Sequence, residues 1–163
     1  MKSVLMSINS LNNANIESGL KGSELRTRPP KIKPPFKVFT YESGSLGRHK
    51  VVNEWICRSM TTWRMCMGIP AHLSKKACVS NEYIWKYSNN GYKDITEMEI
   101  SDLVIYDKPR ELNRFQKPCI RDCDCGGCEN AYWTRENGFE GCMLEEGLTR
   151  PPQSWCYVES GDT

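Results

Sequence analysis

The chain has 163 residues, a length that fits one domain with a modest apolar core. Its 22 Lys and Arg residues against 20 Asp and Glu residues leave a net charge of +2, so the overall charge gives only a weak attraction to nucleic acid. The sequence contains no run of about 18 apolar residues, which excludes a membrane-spanning helix.

The first predicted elements are two strands separated by a short helix. Residues 2–8 alternate between apolar and polar side chains, which is typical of a half-buried strand. Ser10 is the predicted N-cap of a short helix that ends at Gly19. Residues 23–28 form the second predicted strand, which ends at Pro29 because proline cannot join a sheet interior.

A β-hairpin is the clearest prediction in the middle of the chain. Residues 36–41 and 50–57 are rich in aromatic and β-branched side chains, and the turn-forming segment 42–47 separates them. Later predicted elements are a helix from Ser80 through Tyr87, a strand at 102–106, a helix from Arg110 to Gln116 after Pro109, and a last strand at 155–158. About six short strands without regular βαβ alternation predict an α+β fold with a small antiparallel or mixed barrel.

Basic residues are concentrated in the first third of the sequence. Between Lys21 and Lys50, only Glu24 and Glu42 oppose eight basic residues, which are Lys21, Arg26, Arg28, Lys31, Lys33, Lys37, Arg48 and Lys50. The segment 94–107 leans acidic instead. We therefore expect one basic face, and an anionic partner would bind there.

Cysteines cluster in the last third. Of the nine in the chain, Cys119, Cys123, Cys125 and Cys128 fall within ten residues, among Asp and Gly residues that supply turns rather than core. The first nine residues show no signal-peptide pattern, so we expect a cytoplasmic protein whose thiols stay reduced. Clustered cysteines in that compartment more often bind metal than form disulfides.

We predict a structural zinc ion in a cysteine-rich insert at about residues 117–145. The chosen ligands are Cys119, either Cys123 or Cys125, Cys128 and Cys142, which leaves one of these five thiols spare. The spacing matches neither the usual zinc ribbon nor the usual zinc finger. Free thiols and disulfides are the two alternatives.

Several segments resemble the ASCH domain, which belongs to the PUA-like superfamily. They are residues 5–8, the stretch from Glu17 to Arg26 with its Gly-x-Lys-x-x-Glu-x-Arg pattern, residues 51–57, and the run from Ile100 to Pro109. Residues 148–158 are similar to the end of a version common in phages and mobile elements, which also carries a cysteine-rich insert. The resemblance spans residues 1–159, so a single domain over residues 1–163 is expected.

This resemblance implies a barrel of five or six strands with flanking helices and a cleft that takes RNA or a modified nucleoside. The residues themselves support such a cleft, because Glu24 and Arg26 are two apart on a strand and point to the same face. Lys21 and Arg26 are suited to phosphate, Lys as a point charge and Arg as a planar fork. The alternative is a surface ion pair that stabilises a strand edge by at most about 1 kcal/mol.

The leading functional hypothesis is a non-catalytic module that binds RNA or a nucleotide. Its expected phosphate contacts are Lys21, Arg26, Arg28 and Lys37. Glu24, held ionised and oriented beside Arg26, belongs to the same binding site, and Tyr41 or Trp55 would stack on a base. The alternative for both aromatic residues is an ordinary core position. In ASCH relatives a strand beside the cleft follows the prolines, so Gln153 and Ser154 are expected to reach it.

Two further hypotheses come from other classes of protein. Some ASCH relatives are amidohydrolases that deacetylate acetylcytidine with a Thr nucleophile, a Lys and a distant Glu; the corresponding candidates here are Lys21, Ser23 and Glu54. The residue after Lys21 is Gly22 where many relatives have Thr, and Ser23 would point to the opposite face, so hydrolysis is the weaker interpretation. The third hypothesis is a phage-encoded protein that inhibits a host defence nuclease, such as a CRISPR effector, by binding it.

Overall fold

The computed structural model describes residues 3–118 and 147–159 in full, together with the backbone of residues 131–134, 138–142 and 160. Nine strands and three helices occur in these residues. In chain order they are β1 (Ser3–Asn9), α1 (Ser10–Glu17), β2 (Ser23–Arg26), β3 (Phe36–Ser43), β4 (Val51–Trp63), α2 (Leu73–Ala77), α3 (Asn81–Tyr87), β5 (Ile95–Arg110), β6 (Phe115–Gln116), β7 (Ala131–Thr134), β8 (Gly138–Cys142) and β9 (Trp155–Ser160).

Seven of the strands form one mixed sheet in the order β2-β5-β4-β3-β1-β9-β6. Only β1 and β3 pair in parallel, and the other neighbours are antiparallel. Strands β7 and β8 make a separate two-stranded sheet. Within residues 3–118 and 147–160 the longest helix has eight residues, and none of the helices there is long and apolar enough to cross a membrane.

The predicted hairpin is confirmed as β3 and β4, although β4 continues to Trp63. The strand predicted at 102–106 is part of β5, which extends over Ile95–Arg110. Three further predictions are wrong. Asn9 rather than Ser10 caps α1, because its side-chain oxygen accepts the Asn12 N–H at 2.8 Å. Strand β2 stops at Arg26, where its pairing with β5 ends. Pro109 lies inside β5, so the predicted helix over 110–116 is reduced to a single turn at Leu112–Arg114.

Two apolar clusters lie on opposite faces of the sheet. One fills the interior of the curved sheet and includes Val4, Met6, Phe36, Val38 and Trp55. The other, on the outer face, includes Leu5, Phe39, Tyr41, Phe115 and Val158, so the segments around β6 and β9 cover this side. Odd and even residues of β1 and β3 divide between the two clusters, as the two-residue period of a strand requires.

A third apolar cluster joins β2 and the start of β5 to helices α2 and α3. It contains Leu25, Leu73, Ala77, Ile84 and Ile95. Because Leu25 points into this cluster, its neighbours Glu24 and Arg26 point to the other face of β2. One face of β2 therefore packs against the helices, and the opposite face carries the charged side chains Glu24 and Arg26.

Candidate nucleic-acid interface

Three charged side chains meet at β2, at the edge of the seven-stranded sheet. The Arg26 Nη2 atom lies 3.0 Å from one oxygen of Glu24, and the Lys21 Nζ atom lies 3.3 Å from the other. The contact between Glu24 and Arg26 agrees with the expectation that they share a face of the strand. Only 9% of the Glu24 side chain is exposed and 11% of Arg26, so the cluster is a largely desolvated site rather than a surface ion pair.

Arg26 links the edge strand β2 to β1 and to the residue before β9. Its guanidinium donates to the Ser7 carbonyl oxygen at 3.0 Å and to the Ser154 Oγ atom at 3.2 Å. Its Nε atom is buried and has no hydrogen-bond partner in the described residues. Ser154 therefore reaches the site, as the family resemblance implies, and Arg26 keeps one N–H that the described protein groups do not use.

Lys21 is anchored from the other side by α2. Its Nζ atom donates to the Ala77 carbonyl oxygen at 2.7 Å, and the neighbouring Gly22 N–H donates to the Lys76 carbonyl oxygen at 2.8 Å. The side chain is only 2% exposed. Lys21 thus contributes positive charge from beneath the site rather than from a mobile surface position.

Tyr83 is a partly exposed aromatic residue on which the charges of Glu24 and Arg26 act. It lies in the first turn of α3, is 46% exposed, and its ring stacks on Tyr87 with the centroids 5.8 Å apart. Partial burial, then Tyr87 and Glu24, raise the pKa of Tyr83, while Arg26 opposes this effect. The hydroxyl therefore stays protonated at neutral pH and is available as a hydrogen-bond donor.

The sequence interpretation missed Tyr83. The available signal was an aromatic pair four residues apart on a predicted helix, which places both rings on one side of that helix. Nothing in the local sequence indicates that this side turns towards β2.

The stacking roles expected for Tyr41 and Trp55 are wrong, because both residues belong to the core. Trp55 is fully buried in the sheet interior, where its Nε1 atom donates to Thr40 Oγ1 at 3.2 Å. Tyr41 is 6% exposed and packs in the outer apolar cluster. The alternative interpretation, ordinary core positions, is correct for both.

Lys37 and Glu54 form a separate pair on β3 and β4. Lys37 Nζ donates to Glu54 at 2.7 Å, and the Tyr106 hydroxyl donates to the other oxygen of the same carboxylate. Burial acts to raise the pKa of Glu54, but these hydrogen bonds outweigh it and hold the pKa below its ordinary value. Lys37 is thus engaged with Glu54, and neither makes a hydrogen bond or ion pair with Lys21, Glu24 or Arg26.

The three catalytic candidates are not assembled into a reactive group in the described structure. Ser23 Oγ is buried without a hydrogen-bond partner among the described residues, so nothing there is positioned to take its proton. Lys21 bonds Ala77 and Glu24, whereas Glu54 bonds Lys37 and Tyr106. Arg28 is exposed, and its carbonyl oxygen accepts the Trp155 Nε1 proton at 2.6 Å.

The predicted zinc ligands lie outside what the structure describes. Cys119, Cys123, Cys125 and Cys128 are beyond the described residues, and only the backbone of Cys142 is described, in β8. The cysteines with described side chains, Cys57, Cys66, Cys78 and Cys156, are free thiols. No group of three His, Cys, Asp or Glu side chains in the described ranges is arranged to hold a metal ion.

Solved structures of ASCH from Zymomonas mobilis share the fold of this chain. The crystal structure of that protein matches with a TM-score of 0.65 at 15% sequence identity, covering 97% of this chain and 88% of the other. Its serine-to-alanine mutant matches with a TM-score of 0.65 at 14% identity, over 97% and 89% of the two chains. A tyrosine-to-phenylalanine mutant matches with a TM-score of 0.59 at 17% identity, over 69% and 77%.

No protein-family model matches the sequence, and no curated protein matches it. The structural likeness defines the fold class: a mixed α+β fold of the ASCH/PUA-like kind, with a seven-stranded sheet and few helices. Within that class the chain has the fold of the ASCH proteins, which agrees with the fold that the resemblance in sequence implies.

Proposed function

We propose that this chain is a non-catalytic ASCH-type protein that binds RNA or a nucleotide in a cleft at Lys21, Glu24, Arg26, Tyr83 and Ser154. The observation that carries the proposal is the hydrogen bonding of the Arg26 guanidinium. Its guanidinium is held by Glu24, Ser7 and Ser154, its Nε proton has no partner in the described residues, and its charge acts on the partly exposed Tyr83. The fold shared with ASCH proteins supports the same conclusion.

The charges of the cleft suit a phosphate group. Two cations share one carboxylate, so Lys21, Glu24 and Arg26 together keep a net charge of +1 in a largely desolvated place. Charge-assisted hydrogen bonds to an anion are strongest in such surroundings. A preoriented guanidinium also loses little side-chain entropy when the ligand binds.

Tyr83 supplies the aromatic surface that the proposal requires. Bases of single-stranded RNA stack on exposed aromatic rings, and every base has a face that can do so. Since Tyr41 and Trp55 are buried, Tyr83 takes the role that the sequence interpretation gave to them.

The test is equilibrium binding of uridine 5′-monophosphate and of a short single-stranded RNA to the wild type and to Tyr83→Ala. Loss of one stacking contact costs about 1–3 kcal/mol, so we expect binding to weaken about 5- to 150-fold. The matched control is Tyr92→Ala, because Tyr92 is an exposed tyrosine that lies beyond the end of α3; 87% of it is exposed. Equal affinities of Tyr83→Ala and the wild type for both ligands would contradict the proposal.

A further inference from the structure

The loop between β2 and β3 carries a second group of cations. We call residues 28–35 the basic loop; Arg28, Lys31 and Lys33 are exposed in it. No ion pair engages these three side chains within the residues the structure describes, whereas Lys21, Arg26 and Lys37 all have carboxylate partners. The basic loop therefore presents positive charge that described protein groups do not neutralise.

The basic loop borders an open concave surface. A cavity of about 410 Å³ is lined by Lys31, Ile32, Lys33, Pro35 and Phe36. Its size falls within the range of about 300–1,000 Å³ that is usual for small-ligand sites. Phe36 is buried and Ile32 packs against the interior apolar cluster, so the cavity has an apolar floor and a cationic rim.

Strand β9 holds the basic loop in place. Trp155 Nε1 donates to the Arg28 carbonyl oxygen at 2.6 Å, and the Lys31 N–H donates to the Tyr157 hydroxyl at 2.9 Å. The two aromatic rings also contact each other edge to face, with centroids 5.1 Å apart. These contacts fix the loop backbone, which lowers the entropy cost of binding a ligand there.

The basic loop continues directly from the cleft. Ser154 contacts the Arg26 guanidinium, and the next residue, Trp155, contacts the backbone of Arg28. We call the line of contacts between residues 26–31 and residues 154–157 the seam. Along it, Arg26 contacts Ser154 at one end and Lys31 contacts Tyr157 at the other. A ligand that leaves the cleft along this seam meets the exposed cations next.

We propose that the basic loop is a second phosphate subsite, and that the ligand is single-stranded RNA of at least two nucleotides rather than an isolated nucleoside or mononucleotide. This inference rests on the proposed function, since one nucleotide occupies the cleft while the phosphate of its neighbour lies between Lys31 and Lys33. The apolar floor of the cavity contacts the sugar or base of that neighbour. Lysines suit this role because a flexible point charge tolerates the varied geometry of a single strand.

The test compares a four-nucleotide oligouridylate with uridine 5′-monophosphate on the double variant Lys31→Ala/Lys33→Ala. Binding of the tetranucleotide should weaken, and the slope of log affinity against log salt should become shallower by roughly 1.4, because each phosphate contact to a single strand contributes about 0.7. Binding of the mononucleotide should not change. The control is Lys93→Ala/Lys108→Ala, which removes two exposed lysines from other parts of the chain.

An unchanged tetranucleotide affinity and salt slope in Lys31→Ala/Lys33→Ala would overturn the subsite. An equal loss in the control would also overturn it, because the effect would then be one of net charge. A different result would contradict the proposed cleft at Tyr83. In that case Tyr83→Ala would leave the mononucleotide affinity unchanged, while Lys31→Ala/Lys33→Ala would still weaken tetranucleotide binding. The two proposals therefore fail separately.

Discussion

Glu24 is the residue on which the cluster of Lys21, Glu24 and Arg26 depends most. Lys21 and Arg26 are both nearly buried, and two cations so close to each other repel unless an anion lies between them. Glu24 supplies that anion, with one oxygen turned to each cation. Removing it would leave two buried positive charges with no carboxylate of their own.

We predict that Glu24→Gln lowers the free energy of unfolding by about 3 kcal/mol, because truncating one member of a buried ion pair leaves its partner uncompensated. Urea denaturation at pH 7 measures this difference. Glu82→Gln is the matched control: its carboxylate is 75% exposed and pairs with Lys86 on α3, so its loss should cost no more than about 0.5 kcal/mol. Equal effects of the two substitutions would show that the cluster is an ordinary surface ion pair.

The candidate site residues differ in how far their positions could be predicted from the sequence. Glu24 and Arg26 were predictable as a pair, because the strand period alone puts them on one face. The burial of Tyr41 and Trp55 was not, because it depends on segments distant in sequence: Tyr41 shares an apolar cluster with Phe115 and Val158, and Trp55 shares one with residues of β1. Tyr83 required the packing of α3 beside β2, which no local pattern encodes.

Helix α1 is attached to the sheet by a polar network rather than by apolar packing alone. Asn13, fully buried, donates to Glu42 at 3.1 Å and accepts from Asn53 at 2.8 Å. Arg48 closes the network with a 2.6 Å contact to Glu42 and a 2.7 Å contact to Glu17. One helix and two strands thus depend on a single, largely buried carboxylate.

This network makes stability depend on pH. Burial acts to raise the pKa of Glu42, but hydrogen bonds from Arg48 and Asn13 outweigh it, so the pKa in the folded protein is below its ordinary value. A carboxyl group with a lowered folded pKa stabilises the fold above its unfolded pKa, and this contribution is lost as the pH falls through the folded pKa. Stability should therefore decline on acidification through and below the range where glutamate normally titrates.

We predict that Glu42→Gln is less stable than the wild type by about 1–3 kcal/mol at pH 7 and that the difference shrinks towards pH 3. Urea denaturation across this pH range measures both effects. Glu111→Gln, which removes an exposed carboxylate paired with Lys50, is the control and should follow the wild-type profile. A difference between Glu42→Gln and the wild type that stays constant with pH would contradict the assignment.

Element boundaries show where tertiary structure overrides local preference. Pro109 is favourable at the first turn of a helix, which is why the sequence predicts a helix after it. In the fold, pairing between Val51 and Arg110 carries β5 past this proline. Such pairing joins positions nearly 60 residues apart, and a local window contains no information about it.

At the scale of the whole molecule, side chains rather than strand pairing connect the edge strand β2 with β1 and β9. Arg26 bonds Ser7 and Ser154, and the backbone beyond β2 bonds Trp155 and Tyr157. The proposed ligand site therefore uses the same contacts that connect β2 to β1 and β9. Occupation of the cleft should stabilise the fold, because a ligand that binds only the native state shifts the unfolding equilibrium.

The cysteine-rich insert predicted at about residues 117–145 would stabilise the folded protein by binding zinc. Zinc bound by Cys119, Cys123 or Cys125, Cys128 and Cys142 stays a prediction from the sequence. Metal analysis of protein purified without chelators should find about one zinc per chain, and Cys125→Ser/Cys128→Ser should lose it. The control is Cys66→Ser, since Cys66 is an exposed free thiol in the described structure. Folded wild-type protein without zinc would refute the prediction.

The central claim is that RNA lies along the seam from Tyr83 to the basic loop. Photo-crosslinking of a 4-thiouridine-labelled tetranucleotide, followed by mass spectrometry of the digested protein, measures this contact surface directly. We predict crosslinks at Tyr83 and within residues 28–33, both suppressed by excess unlabelled RNA and by high salt. Crosslinks confined to surfaces outside α3 and the basic loop, or insensitive to competitor, would contradict the claim.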